Sequence, residues 1–270
     1  MTRQANPAGR INCVLIAGGQ WHDIDFARLE LLQLLAEDDR VRVRVFEDYS
    51  NIEAIREADF LVTYTCNVVP PLEVQEALRD WVAAGGRWYA LHGTNSVIRM
   101  MSDGLYGTPD WSPLFMETLG SMFRSHPPIA PYTVSVADPE HPLVRDIDSF
   151  ESTDELYLMR TYGDLQILLD TEYAGAAPGF VEDNWEHARH PVFYIHEVGA
   201  GAVLYLTLGH CRHHYDMQPA MDFWPTKERC AWDLPVFYTL LRRGLKWAIE
   251  PLDASSAQAR AAAEAAATSP

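Results

Sequence analysis

The sequence predicts an α/β protein with a mainly parallel central sheet and helices on both faces. Two observations carry this. Short apolar runs, rich in β-branched residues, alternate with stretches whose apolar residues recur at helical spacing, and glycine or proline punctuates the junctions. Alternation of this kind implies right-handed βαβ crossovers, which pack helices on both sides of parallel strands.

The elements read in order as follows. Ile11 to Ala17 is an apolar run ending in Gly18-Gly19, and "DFARLELLQLLAED" behind it has helical periodicity. Val41 to Phe46 alternates valine with arginine, and Phe60 to Tyr64 is apolar, so two strands follow with a short helical connector. Pro70-Pro71 opens "LEVQEALRDWVAAGG", a helix with proline at its start and glycine at its end. The next strand, from Arg87, stops at His92. Beyond Asn95 the pattern loosens through "MSDGLYGTPDWSP", turns helical at "LFMETLG" and strand-like at "YTVSVAD", with short strands around "DELYLM" and "LQILLDT". Pro191 to Glu197 and Ala202 to Thr207 form a hairpin across "VGAGA", and Pro235 to Ile249 is a helix. One domain over residues 10–250 is expected, with 251–270 a low-complexity, flexible tail.

Composition narrows the function classes. At 48% hydrophobic and 22% charged the chain is of the globular type. A formal charge of −17 repels phosphate backbones, which argues against nucleic acid and against an anionic membrane surface as partners. No run of eighteen apolar residues exists and the start, "MTRQANPAGR", has no apolar core of a secretory signal, so a cytoplasmic location is expected. Cys13, Cys66, Cys211 and Cys230 form no CxxC pair, which predicts reduced, mostly buried thiols.

In such a sheet the carboxyl ends of different strands converge on one crevice. Four polar clusters fall at these ends: "GGQWHD" with His22, "LHGTNS" with His92, Thr94 and Asn95, "STDELY" with Glu155, and "LGHCRHHYD" with His210 and His213. Three histidines and a carboxylate brought together suit a divalent metal or acid/base catalysis. Each also has a plainer reading: Gly18-Gly19 as a turn without ligand, His22 as a loop histidine, Glu155 as a cap, one of His213 and His214 as solvated. Of Asp154 and Glu155, Asp154 is the less expected to reach the site, because neighbours on a strand point to opposite faces. His92 resists the plainer reading, since a sharp strand-to-helix turn is a strained place for an idle side chain. Trp21 and Trp111 are the tryptophans the sequence places beside the crevice, where flat rings suit sugar faces.

Together "GGQWHDIDFAR", "VTYTCNVVP", "GGRWYALHGTNS", "STDELYLM", "VLYLTLGHCRHHYDM" and "PVFYTLLRRGLKWA" resemble the ThuA-like, trehalose-utilisation family over roughly residues 10–250. The resemblance implies a flavodoxin-like, class I glutamine amidotransferase-like fold and a role in disaccharide or glycoside catabolism. Amidotransferases of that fold carry a cysteine at the turn where this chain has His92, and neither Cys66 nor Cys211 can replace it. The expectation is therefore an enzyme acting on a 3-keto-glycoside or 3-keto-disaccharide by proton abstraction α to the ketone, ending in isomerisation or glycosidic cleavage. His92, His210 and Glu155 are the expected catalytic residues, with Trp21, Thr94, Asn95, Trp111 and His213 binding the sugar. His22, His92 and His210 are the expected ligands of a divalent metal, zinc or similar, and no nucleotide cofactor is foreseen. Further copies of the chain are the one macromolecular partner foreseen. The alternatives are a non-catalytic carbohydrate-binding or regulatory module, and a metal-dependent hydrolase.

Overall fold

The computed structural model describes residues 9–267, with side chains described from 9 to 254. In chain order the elements are β1 (Ile11–Gly19), α1 (Ile24–Leu35), β2 (Val41–Phe46), α2 (Ile52–Glu57), β3 (Phe60–Cys66), α3 (Leu72–Ala83) and β4 (Arg87–Leu91). A 3-10 turn, His92–Asn95, follows at once. Then come β5 (Arg99–Met100), β6 (Tyr106–Gly107), α4 (Pro113–Leu119), β7 (Ser121–Ser125), β8 (Ala130–Val136), β9 (Phe150–Asp154), β10 (Leu158–Thr161), β11 (Gln166–Ala176), β12 (Asn184–Val198), β13 (Gly201–Leu206), a 3-10 turn at Cys230–Asp233, and α5 (Pro235–Ala267).

The main sheet has nine strands in the order β2-β1-β3-β4-β13-β12-β11-β8-β9. Its first five strands are parallel, and the last four continue it by antiparallel pairing. The sheet is thus mixed where a mainly parallel one was expected. The cause is the tight reversal at Gly199-Ala200, which leaves no room for a crossover and turns β12 back on β13.

Both faces of the parallel half are covered, and β1 shows how. Cys13, Leu15 and Ala17 pack in one apolar layer with α1 and α5, while Val14 and Ile16 pack in another with α2, α3 and α4. Strands buried on both faces read as unbroken apolar runs, which is why these were legible. Asp23 caps α1 by accepting from the Phe26 N–H. Helix α5, expected to end near Ile249, runs to Ala267, in keeping with the high helix propensity of its alanine-rich end. Residues 268–270 of the expected tail lie outside the described residues. No helix among the described residues is long and apolar enough to cross a membrane.

Two small two-stranded sheets, β10 with β7 and β5 with β6, stand apart from the main sheet. Neither pairing was legible, because "SMFRS" and the two-residue strands carry too little alternation to declare themselves. The break between β9 and β10 at 155–157 matters most, since it releases Glu155 and Tyr157 from the ladder.

Candidate active site

The carboxyl ends of β1, β3, β4 and β13 line up, with Gly19 opposite Cys66, Tyr64 opposite Leu91, and Leu91 opposite Leu206. Each of the first three is followed by a non-glycine residue in the left-handed region: Trp21 (φ +71°), Asn67 (φ +61°) and His92 (φ +44°). Such residues are uncommon and cluster at functional sites. Gly18 and Gly19 are demanded by crowding, since a Cβ would meet the Glu47 carbonyl oxygen at 2.0 Å and the Cys66 carbonyl oxygen at 1.8 Å. The turn at His92 is stapled by Tyr205, whose hydroxyl donates to the His92 carbonyl and accepts from the Asn95 N–H.

At this edge His22, His92, Glu155 and His210 meet. All four are buried, and one ligand atom from each lies within 4.8 Å of all the others. Hydrogen bonds to their outer nitrogens fix which atoms point inward. His92 Nδ1–H donates to the Thr207 carbonyl (2.8 Å) and His22 Nδ1–H to the Gln20 carbonyl (3.0 Å), leaving both Nε2 atoms as bare lone pairs. These lone pairs face each other at 2.9 Å. Two acceptors so close repel unless a proton or a cation sits between them. His210 Nε2–H donates to Glu228 Oε2 (2.8 Å), which turns His210 Nδ1 inward. That nitrogen is shut off from solvent and makes no directional hydrogen bond, although Glu155 Oε1 lies 3.0 Å away. Proximity without alignment is what two ligands of one ion show toward each other. Four tetrahedral ligands around zinc sit about 3.3 Å apart. Three of the contacts, 2.9 Å for His22–His92, 3.0 Å for His210 to Glu155 Oε1 and 3.5 Å for His92 to Glu155 Oε2, bracket that spacing, and the full set stays within 4.8 Å.

Electrostatics agree with the tautomers. Burial, then repulsion from His92 and His210, holds His22 well below the usual histidine range, so it stays neutral. Burial alone would raise Glu155, but the His210 and His126 rings beside it carry it well below the ordinary carboxylate range. Burial opposes the charged form of His210, yet Glu155 and Glu228 prevail and raise it to about 9. In the ion-free protein a proton therefore occupies the lone pair that a metal would use.

A cavity of about 110 Å³ opens beside the cluster. Trp21, Tyr106, Phe123, Tyr157 and Phe180 make its walls, while His22, Glu155, Cys66, His126 and Arg212 add polar groups. The Tyr157 hydroxyl stands 3.3 Å from His92 Nε2, and His126 Nε2 lies 3.5 Å from Glu155 Oε1. Arg212 links the parts: its Nη1 donates to Glu228 (3.1 Å), its Nε to the Trp21 carbonyl (3.1 Å), and its Nη2 is 3.7 Å from Glu155.

Of the residues singled out in the sequence, His22, His92, His210 and Glu155 converge, and Trp21 lines the cavity. The others lie elsewhere. Thr94 donates to the Leu91 carbonyl, and Asn95 Nδ2 donates to Ser121 Oγ and Met159 Sδ, so both serve the turn itself. Trp111 is half-exposed beneath the Arg99 guanidinium, and the His213 ring packs against His214, neither lining the cavity. Asp154 does face away from the cavity, yet it is not idle. Its carboxylate accepts from the backbone N–H groups of Glu155, Gly209, His210 and Ala231 and so fixes two of the cluster's segments. Sequence reasoning missed Tyr157, His126, Arg212 and Glu228. The first lies two residues beyond Glu155 and the third two beyond His210, but Glu228 and His126 carry no local signal.

The fold and cluster together define a mixed α/β protein with a buried histidine–carboxylate centre at its strand ends. The chain belongs to the ThuA, trehalose-utilisation family, whose model matches residues 13–224. Among solved structures it is similar to a ThuA-like protein from Parabacteroides merdae ATCC 43184, at 20% identity and a TM-score of 0.63, covering 88% of this chain and 90% of that one. A ThuA-like protein from Bacteroides uniformis ATCC 8492 is similar at 18% identity and a TM-score of 0.61, covering 92% and 95%. At these identities the likeness speaks for the fold. No curated protein matches the chain.

Proposed function

We propose that this protein is a carbohydrate-catabolic enzyme that acts on a 3-keto-glycoside or 3-keto-disaccharide by removing a proton α to the ketone. The observation that carries the reading is the four-residue cluster at the side of an aromatic-walled cavity, with inward-facing ring nitrogens on three imidazoles and an ionised carboxylate. The order β2-β1-β3-β4-β13 of the parallel half supports a flavodoxin-like description of the fold.

His22, His92 and His210 would hold a divalent ion, with Glu155 beside them. Such an ion supplies Lewis-acid polarisation of a carbonyl oxygen. The chain's own groups do the rest. The aromatic walls take the apolar face of a pyranose ring and exclude water. Glu155, kept ionised, accepts the proton from the carbon α to the ketone, and the electron pair of that C–H bond moves to the ketone oxygen as an enolate. Return of the proton to a different carbon isomerises the sugar. Expulsion of a glycosidic oxygen β to the ketone cleaves it instead, with the proton passing from Glu155 to the departing oxygen. The Tyr157 hydroxyl donates toward the same region and steadies the developing oxyanion.

The test is exchange of the α proton of a 3-keto-disaccharide in deuterated buffer, followed by NMR, using protein without a histidine tag whose metal content is measured. Exchange with turnover, abolished in Glu155→Gln, is the expected result. Metal-loaded protein that neither exchanges nor converts the substrate refutes the reading, and turnover of simple chromogenic esters would make it a metal-dependent hydrolase.

A further inference from the structure

A second cavity, of about 330 Å³, adjoins the first, and Trp21 and His22 line both. The two differ in chemistry. The first is walled by aromatic rings, whereas the second is edged by Gln20, Asp25, Arg28, Glu47, Asp216 and Gln218. We infer that the second cavity is the subsite for the departing half of the substrate, a neutral, hydroxyl-rich sugar whose glycosidic oxygen lies at Trp21 and His22. The inference rests on the function proposed above and assigns the two halves of its substrate.

Three features point this way. Carboxylates, amides and a guanidinium together offer both acceptors and donors, which hydroxyl groups need and an apolar aglycone does not. The charge is one-sided: Asp25, Glu47 and Asp216 stand against Arg28 alone, and the nearby Asp23 is already engaged with Arg229 at 2.7 Å. Arg28 is itself committed, with Nη1 on Asp25 (2.8 Å), Nη2 on the Ala17 carbonyl (2.8 Å) and Glu47 at 3.6 Å. A phosphorylated or carboxylated ring would meet this field unfavourably, while a neutral polyol would not. Finally, the backbone of the shared Trp21 is set by its left-handed φ and by Arg212 on its carbonyl, which places a flat ring where the two cavities meet.

The experiment compares a 3-keto-disaccharide with the methyl 3-keto-glycoside of its oxidised ring, in the wild type and in a Glu47→Ala, Gln218→Ala double variant. Both substituted residues are on the surface, outside the proposed catalytic cluster. The double variant should raise KM for the disaccharide about tenfold and leave the methyl glycoside unchanged. Equal effects on both substrates, or on neither, overturn the assignment. Binding of the unoxidised probes trehalose and glucose, followed calorimetrically, separates this inference from the reaction. Should no keto-sugar be turned over, tighter binding of trehalose than of glucose, lost in the double variant, keeps the subsite and sinks only the proposed chemistry. Equal binding of the two sinks the subsite. A 6-phosphorylated disaccharide should bind at least tenfold more weakly than the neutral one, and equal or tighter binding overturns the charge argument.

Discussion

Glu228→Gln tests the tautomer on which the cluster depends. In the structure one oxygen of Glu228, Oε2, accepts from His210 Nε2 (2.8 Å) and Arg212 Nη1 (3.1 Å), and the other, Oε1, accepts from Trp224 Nε1 (3.0 Å). Glutamine has one acceptor oxygen. Placed toward His210, it turns its NH2 group on the Trp224 N–H, and placed toward Trp224 it turns that group on two donors. Either way a donor is left facing a donor, at a cost of about 1–3 kcal/mol. For a chain of this size that lowers the melting temperature by roughly 2–5 °C. The His210 ring also loses the carboxylate that fixes its orientation and strengthens Nδ1 as a ligand, for which outer-shell replacements cost about 10–100-fold in metal affinity. Calorimetric melting and zinc titration against a competing chelator read the two effects. Zinc affinity within about threefold of wild type would refute the reasoning, because His210 would then not be oriented through Glu228 as described.

The remaining predictions follow from the same geometry. His92→Ala should abolish turnover and also destabilise the fold by about 2–4 kcal/mol, because His92 is fully buried and its loss leaves a cavity and an unpartnered Thr207 carbonyl; activity beside normal circular dichroism would defeat the first part and an unchanged melting temperature the second. Cys66→Ser and Cys211→Ser should keep activity within a few-fold, since burial pushes the Cys66 thiol far up and Cys211 to about 12, so neither is a thiolate at neutral pH; complete inactivation of a folded variant would contradict this. The ion-free protein should lose stability as pH rises. His210 is raised from 6.5 to about 9 on folding, so its contribution, at most about 3 kcal/mol, is complete below 6.5 and lost as pH passes 9. Glu155 is depressed on folding, so its share is present above 4.5 and lost on acidification. Bound zinc should abolish the alkaline loss, having replaced the Nδ1 proton; chemical denaturation of the ion-free protein from about pH 3 to about pH 10 reads both limbs, and an alkaline loss that persists with zinc bound would show that His210 is not a ligand.

What the sequence determined by itself is local in origin. Parallel strands covered on both faces are mostly apolar, so β1, β3, β4 and β13 were readable as runs, and the polar residues following them, His22, His92 and His210, stood out because the apolar run stops there. Convergence of those ends follows from topology and needed no side-chain detail. Tertiary structure decided everything that depends on pairing between distant segments. The hairpin of β12 with β13 was legible, but whether β11 and β8 then extend the sheet antiparallel is a matter of backbone hydrogen bonds between segments far apart in the chain. Glu228 meets His210 across 18 residues of irregular chain, and His126 meets Glu155 from the end of a strand whose alternation is too weak to signal itself. Trp111 shows the converse: it lies near the crevice in sequence order, yet its ring settles beneath Arg99 outside the cavity. Asp154, the less expected of its pair to reach the site, lies off the cavity, but only the folded chain puts four N–H groups around it. Residue type and strand period fix which groups can reach a crevice; the turn geometry and packing that aim three ring nitrogens at one point exist only once the whole sheet has closed.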